Sequence, residues 1–184
     1  MKLYRQVERE RRKHVIDPFH ALFGGEPGTQ VTLASGRTYI FTLSAGSETR
    51  AIRTKEGWHI TVGPHTKRTG IHRLLWKALS ALEEEEVTSL VHRINAQTFR
   101  VPITHVRLRF ASSQWGSCTR RGTIHLNAAL LFVPPAVLHY IIVHELAHRR
   151  EANHSPAYWK LVAWAMPSFR EARRLLAGER LPAL

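Results

Sequence analysis

Three histidines and two glutamates lie within residues 141–159, IIVHELAHRREANHSPAYW, and His144, Glu145 and His148 form the pattern H-E-x-x-H. Residues i and i+4 of a helix lie on one face, so both imidazoles can reach one zinc ion at about 2.0–2.1 Å. Glu145 is rotated about 100° from His144, which places its carboxylate beside the ion as a base for a water molecule. The pattern predicts a Zn2+ site for hydrolysis, with Glu145 catalytic.

The best candidate for a third metal ligand is His154, ten residues after His144. On a continuous helix it would lie about 9 Å further along the axis than His148, out of reach of the ion. The helix must therefore end between His148 and His154. Asn153 can adopt the left-handed conformation that ends helices, and Ser155 precedes a proline, which disfavours helical geometry there.

Two carboxylates compete with His154 for this position. Glu151 is close in sequence, and Glu171 could reach back from a following helix. Glu171 also forms an S-x-x-E capping box with Ser168, which would give it a structural role instead. We expect His154 to be the ligand.

The alternative to a metal site is an ordinary core helix whose histidines make internal hydrogen bonds. That interpretation gives no reason for Glu145, which follows the apolar residues 141–143. Burying a charged carboxylate without a partner costs several kcal/mol, and a metal ion would supply the partner. The pattern therefore favours a catalytic metal site over an ordinary core helix.

The helices and strands that position these residues are predicted to form an α+β fold. Residues 30–43 and 50–63 alternate about Ser35-Gly36 and Glu56-Gly57, which predicts a small antiparallel sheet of hairpins. Apolar residues at helical spacing predict one or two helices after residue 64, with the acidic run 83–86 on a solvated face. We divide the chain into residues 1–63, a lead-in and β-hairpin region, and residues 64–184, which hold the helical segment and the metal-binding core.

The second half is predicted to contain two strands and three helices. The strands are 103–110 and 123–131; the TIHLN segment in the second is either an ordinary strand or a sheet edge that could pair with an extended peptide. Prolines 134 and 135 suit a first turn, so a helix is expected over about 135–152. A second helix should begin at Ser155-Pro156 and stop at Pro167, and a third should end near Gly178.

Several ordered motifs resemble the YgjP-like family of predicted metal-dependent hydrolases, relatives of the SprT-type and Wss-type metallopeptidases. They are WGSC at 115–118, IHLNAALL at 124–131, PP at 134–135, HELAH at 144–148 and NHSPAYW at 153–159. The resemblance covers about residues 101–170. It implies a compact zincin fold, with a short sheet lying on the H-E-x-x-H helix. It also implies zinc bound by His144, His148 and His154, with Glu145 as general base.

Two neighbouring residues have alternative roles. Tyr158 lies four residues after His154 and could donate to an oxyanion as a further catalytic residue, or it could simply pack beside Trp159. Cys118 could be a nucleophile or a regulatory metal ligand, but packing is the simplest account because no paired base accompanies it.

The amino-acid composition bears on the protein's binding partners and on its cellular compartment. The net charge is +13, from 27 Lys and Arg against 14 Asp and Glu, which is compatible with nucleic-acid association or simply with a solvated surface. The charged amino terminus does not resemble a secretory signal, and no apolar run could cross a membrane. With Cys118 alone, no intrachain disulfide can form, so we expect a cytoplasmic protein without membrane contact.

The leading hypothesis is a zinc-dependent metallopeptidase acting on a peptide or protein. One alternative is a metal-dependent hydrolase of nucleotide phosphoanhydrides, for which no glycine-rich phosphate loop is present. Another is a basic nucleic-acid-binding module with structural zinc, although such sites are usually closed by four ligands rich in cysteine.

Overall fold

A computed structural model describes residues 14–181 of the protein. Within this range the helices are α1 (His20–Phe23), α2 (Arg68–Gln97), α3 (Pro135–Ala147), α4 (Pro156–Ala165) and α5 (Phe169–Leu176), with a 3-10 helix at Ala128–Phe132. The strands are β1 (His14–Val15), β2 (Gly28–Thr32), β3 (Thr38–Ala45), β4 (Arg50–Arg53), β5 (Gly57–Val62), β6 (His105–Arg109), β7 (Gly116–Cys118), β8 (Thr123–Asn127) and β9 (Glu179–Arg180). The predicted α+β class is confirmed. The predicted boundary between residues 63 and 64 stays a prediction.

The amino-terminal sheet has the strand order β2-β3-β5-β4. Both predicted hairpins form, because β2 pairs antiparallel with β3 and β4 with β5. The prediction of a wholly antiparallel sheet was wrong, however, since β3 and β5 pair in parallel. Gly57 permits this pairing: a Cβ there would lie 1.9 Å from the carbonyl oxygen of Ile40. Phe41 and Ile60 bury the inner face of the sheet.

Helix α2 is one continuous helix of 30 residues. The prediction that residues 83–86 lie on a solvated face was wrong for Glu83, which is 1 % exposed. Glu83 accepts a hydrogen bond from the Tyr39 hydroxyl and pairs with Arg37 at 3.4 Å. Glu84 accepts a hydrogen bond from the backbone N–H of Leu108 at 2.9 Å. The acidic residues 83 and 84 thus connect α2 to both sheets.

The second sheet has the order β6-β8-β7, with β8 parallel to β6 and antiparallel to β7. The TIHLN strand, β8, is therefore the central strand of this sheet. The edge position, one of its two predicted alternatives, is occupied by β7 instead. The strand is also shorter than predicted, because residues 128–132 form the 3-10 helix. Helix α2 contacts β6, while α3 contacts β7 and β8.

Helix α3 begins at Pro135, as predicted, but ends at Ala147 rather than near residue 152. Its last turn tightens, since the N–H groups of Arg149 and Arg150 bond to carbonyls only three residues back. Asn153 does not adopt the left-handed conformation that was open to it; Arg100 is the non-glycine residue with positive φ among residues 14–181. The chain therefore changes direction directly after Ala147, before it reaches His154.

The last two helices agree with the sequence only in part. The Ser155 side chain caps α4 by accepting from the N–H of Tyr158, and the helix ends before Pro167, as predicted. The predicted capping box of α5 does not form, because the Ser168 side chain makes no cap hydrogen bond and Glu171 instead lies 3.9 Å from Arg174. No helix among residues 14–181 has the length and apolar character needed to cross a membrane.

Candidate metal centre

The structure brings His144, His148 and His154 together at the end of α3. Each offers a ring nitrogen, and these nitrogens all lie within 4.8 Å of one another. The Nε2 atoms of His144 and His154 are 3.2 Å apart. Two nitrogens bound to one tetrahedral zinc at 2.0–2.1 Å are separated by about 3.4 Å, so this spacing fits a shared ion. Glu151 and Glu171, the competing candidates, do not belong to this group.

Burial favours the neutral, metal-coordinating form of His144 and His148. It is the main cause that lowers the pKa of His144 from 6.5 to about 4, and electrostatic interactions with His148, His154 and Arg173 act in the same direction. Burial also lowers the pKa of His148. The Nδ1 atom of His148 donates to the carbonyl oxygen of Glu151 at 3.3 Å, which leaves its Nε2 lone pair for an ion.

Glu145 lies beside the histidines on α3 and is 5 % exposed. No hydrogen bond or ion pair joins its carboxylate to another residue of the described range 14–181. Burial raises the pKa of Glu145 from 4.5 to about 7. A carboxyl group with this pKa can accept and release a proton near neutral pH, as general base catalysis requires.

Strand β7 forms the wall opposite Glu145, and a cleft of about 510 Å³ opens between this strand and the histidines. A Cβ at Gly116 would lie 2.7 Å from Oε1 of Glu145 and 3.0 Å from Cγ2 of Ile141. The absence of a side chain at Gly116 therefore makes the room that the carboxylate occupies. No role for Gly116 was predicted from the sequence, and its place in the WGSC motif was the available signal.

The family model of the YgjP-like metallopeptidase domain matches residues 4–179. The chain belongs to this family. As a YgjP-like metallopeptidase it is a metal-dependent hydrolase, which confirms the predicted enzyme class. No curated protein matches the chain significantly. Among solved structures, it is similar to the metallopeptidase zymogen abylysin of Pyrococcus abyssi, with 24 % identity over 52 % of this chain and 99 % of that chain and a TM-score of 0.46.

The geometry of this YgjP-like protein favours a packing role for Tyr158. The side chain is fully buried, and its hydroxyl donates to the carbonyl oxygen of His144 at 3.1 Å. Burial strongly raises the pKa of this hydroxyl. Because its proton is bonded to the end of α3, the hydroxyl is not aimed at the cleft. The catalytic role for Tyr158 is an untested prediction that this contact does not support.

Cys118 and Asn127 occupy supporting positions around the centre. Cys118 lies half-buried in β7, and burial raises the pKa of its thiol, which disfavours the nucleophilic thiolate. Asn127 caps the 3-10 helix by accepting from the N–H of Ala129, and its amide donates to the carbonyls of Ala111 and Gln114. Asn127 thus fixes the loop that leads into β7.

Three arginines that contribute to the net positive charge make structural contacts around the site. Arg149 donates to the carbonyl of Arg120 at 2.8 Å, and Arg150 donates to that of Phe99 at 2.8 Å. Arg107 pairs with Glu84 at 3.2 Å. Nucleic-acid association remains a prediction, and these three contacts account for part of the local charge without it.

Proposed function

We propose that the protein is a zinc-dependent peptidase in which His144, His148 and His154 bind the ion and Glu145 is the general base. The observation that carries the proposal is the convergence of three imidazoles beside a buried carboxylate that has no other partner among the described residues. Three protein ligands leave a coordination position open, which distinguishes catalytic from structural zinc sites. The exposure of His154 and the open cleft agree with substrate access.

A zinc ion bound there supplies the Lewis acidity that polarises the peptide carbonyl and activates a water molecule. Glu145 takes the proton from the attacking water and then gives it to the leaving amine. Its raised pKa allows both transfers near pH 7, since a group titrating there holds the proton weakly enough to release it. The His148 contact to the Glu151 carbonyl keeps that ring in one orientation throughout.

The substrate is proposed to bind as an extended strand along β7. The ladder to β8 includes the bonds from Asn127 N–H to the Trp115 carbonyl and from Thr119 N–H to the Thr123 carbonyl. In an antiparallel pair alternate residues face the partner strand, so the main-chain groups of Gly116 and Cys118 face the other way, toward the cleft. Strand addition at this edge would place a peptide bond next to Glu145.

Metal content of the purified protein tests the ligand set. Mass spectrometry should find about one zinc per chain in the wild type and in the Glu171→Ala variant, and little in His154→Ala. Glu171 is an exposed residue paired with Arg174, so its variant is a matched control for loss of a rival ligand. Wild-type protein that takes up no zinc, even when zinc is added back, would contradict the proposal.

A further inference from the structure

A second, positively charged pocket lies beside the metal centre on α5. Its volume is about 560 Å³, and it is lined by Trp159, Phe169, Arg170, Arg173, Arg174 and Ala177. Arg174 lies 3.9 Å from Glu171, but both side chains are largely exposed, so the contact is weak. Within residues 14–181, no ion pair engages Arg170 or Arg173. Arg170 and Arg173 therefore present positive charge to the pocket that no carboxylate of the described chain pairs with.

Trp159 is the wall that this pocket shares with the metal centre. Its ring stacks on His154 with centroids 5.8 Å apart, and its centroid lies 6.3 Å from that of His144. The guanidinium carbon of Arg173 lies 5.0 Å from the same ring. The guanidinium of Arg173 therefore lies no further from the His144 ring than the sum of these last two distances.

The chemistry of the pocket suits a carboxylate. A guanidinium over a tryptophan ring is held by cation–π attraction, which orients its planar donors before a ligand arrives. Those donors match a carboxylate in a bidentate pair. Trp159 and Phe169, whose rings stack at 5.7 Å, add an apolar wall for the carbon atoms next to the acid group.

We propose that Arg173, supported by Arg170 and Trp159, binds a carboxylate of the peptide substrate and makes the enzyme selective for peptides that carry one near the scissile bond. This inference rests on the proposed peptidase function. An extended peptide advances about 3.3 Å per residue, so the separation from His144 corresponds to about three residues at most. The carboxylate can belong to an aspartate or glutamate side chain or to the carboxyl terminus of the peptide.

Peptide binding to the full-length, zinc-loaded Glu145→Gln variant tests the proposal without turnover. Fluorescence anisotropy would compare labelled peptides of equal length: amidated peptides with one glutamate scanned through each position, the all-glutamine amidated peptide, and the all-glutamine peptide with a free carboxyl terminus. At least one carboxylate-bearing peptide should bind about tenfold more tightly than the neutral peptide. The advantage should shrink as salt is added. The two kinds of carboxylate peptide distinguish the two sources.

Substitutions in the same Glu145→Gln background assign the preference to the pocket. Arg173→Gln should remove it, and Arg173→Lys should keep part of it, because lysine retains the charge without the planar donors. Arg93→Gln is the matched control: Arg93 is an exposed residue of α2 that pairs with Glu86, so it removes the same unit charge elsewhere. This control should leave the preference unchanged.

The outcomes separate this inference from the proposed function. Equal binding of neutral and carboxylate peptides would overturn the pocket, as would a preference that survives Arg173→Gln or is lost equally in Arg93→Gln. If the zinc-loaded wild type cleaves peptides without such a preference, the pocket fails and the peptidase function stands. If Arg173-dependent carboxylate binding occurs but the wild type cleaves no peptide, the pocket is supported and the peptidase function fails.

Discussion

Two glutamates are buried among the described residues 14–181, and their surroundings differ. Glu83 on α2 is 1 % exposed and is bonded to the Tyr39 hydroxyl and to Arg37. Glu145 on α3 is 5 % exposed, yet no donor within the described residues 14–181 satisfies its carboxylate. Pairing offsets the cost of burying an acid, and removing one partner then costs stability, whereas a buried acid without a partner destabilises the fold. Burial alone therefore does not identify a catalytic carboxylate.

The largest expected difference between Glu145 and Glu83 is the effect of their substitution on kcat. Glu145→Gln should lower kcat for peptide hydrolysis by about 10³-fold or more, because the amide cannot accept a proton from water. Zinc content measured on the same sample should be unchanged, since Glu145 is not one of the proposed ligands. Glu83→Gln, the same substitution at the paired site, should leave kcat per folded molecule close to the wild type. Zinc loss in Glu145→Gln would contradict the assignment of Glu145 as base.

The second effect is on the stability of the metal-free protein. The pKa of Glu145 is about 7 in the folded state and 4.5 in the unfolded chain, so the folded protein holds a proton that the unfolded chain releases between these values. The contribution of Glu145 to the free energy of unfolding should therefore fall as pH rises from 4.5 to 7, by about 3 kcal/mol, whereas the lowered pKa of His144 acts in the opposite direction in wild type and variant alike. Glu145→Gln removes this penalty. It should stabilise the metal-free protein by up to that amount at pH 8 and have little effect near pH 4.

Urea denaturation of metal-free samples at both pH values measures this difference. A Glu145→Gln variant that is less stable than the wild type at pH 8 would show that the carboxylate has a stabilising partner after all.

A smaller and opposite effect is expected at Glu83. Glu83→Gln should destabilise the protein by about 2 kcal/mol at pH 7, because Arg37 and Tyr39 lose a charged acceptor. The exposure of Arg37 limits the cost, since its guanidinium can be hydrated instead. Thermal unfolding compared with Arg93→Gln, which removes an exposed pair, provides the reference. Equal melting temperatures for the two variants would mean that the Glu83 contacts contribute nothing beyond a surface pair.

The sequence predicted the features of the site that depend on local spacing. The four-residue interval between His144 and His148 determines a common helix face, and the position of His154 requires the helix to end first; both arrangements appear in the structure. Ser155 and the prolines likewise act on their own helix ends. Such features need no knowledge of distant residues.

Features that depend on contacts between distant segments were missed or wrong. Glu83 was placed on a solvated face because its partners are more than forty residues away. The pairing of β8 on both sides could not be read from its own residues, since β7 has three residues and gives no strand pattern. The capping box at Ser168 failed for a local reason: the Ser168 side chain makes no cap hydrogen bond, and Glu171 lies near Arg174 on the same helix.

Gly116 provides the most delicate test of the Glu145 site, because it changes the space around the carboxylate without changing its chemistry. An added Cβ at 2.7 Å from Oε1 would force the Glu145 side chain to shift, and misplacing a base lowers the rate of proton transfer. Gly116→Ala should therefore lower kcat by about tenfold and leave zinc content unchanged. Gly70→Ala is the control, since its Cβ would meet only Thr66 Cγ2 at an ordinary 3.6 Å. Wild-type kcat in Gly116→Ala would mean that the carboxylate tolerates displacement, and that its environment rather than its exact position makes it a base.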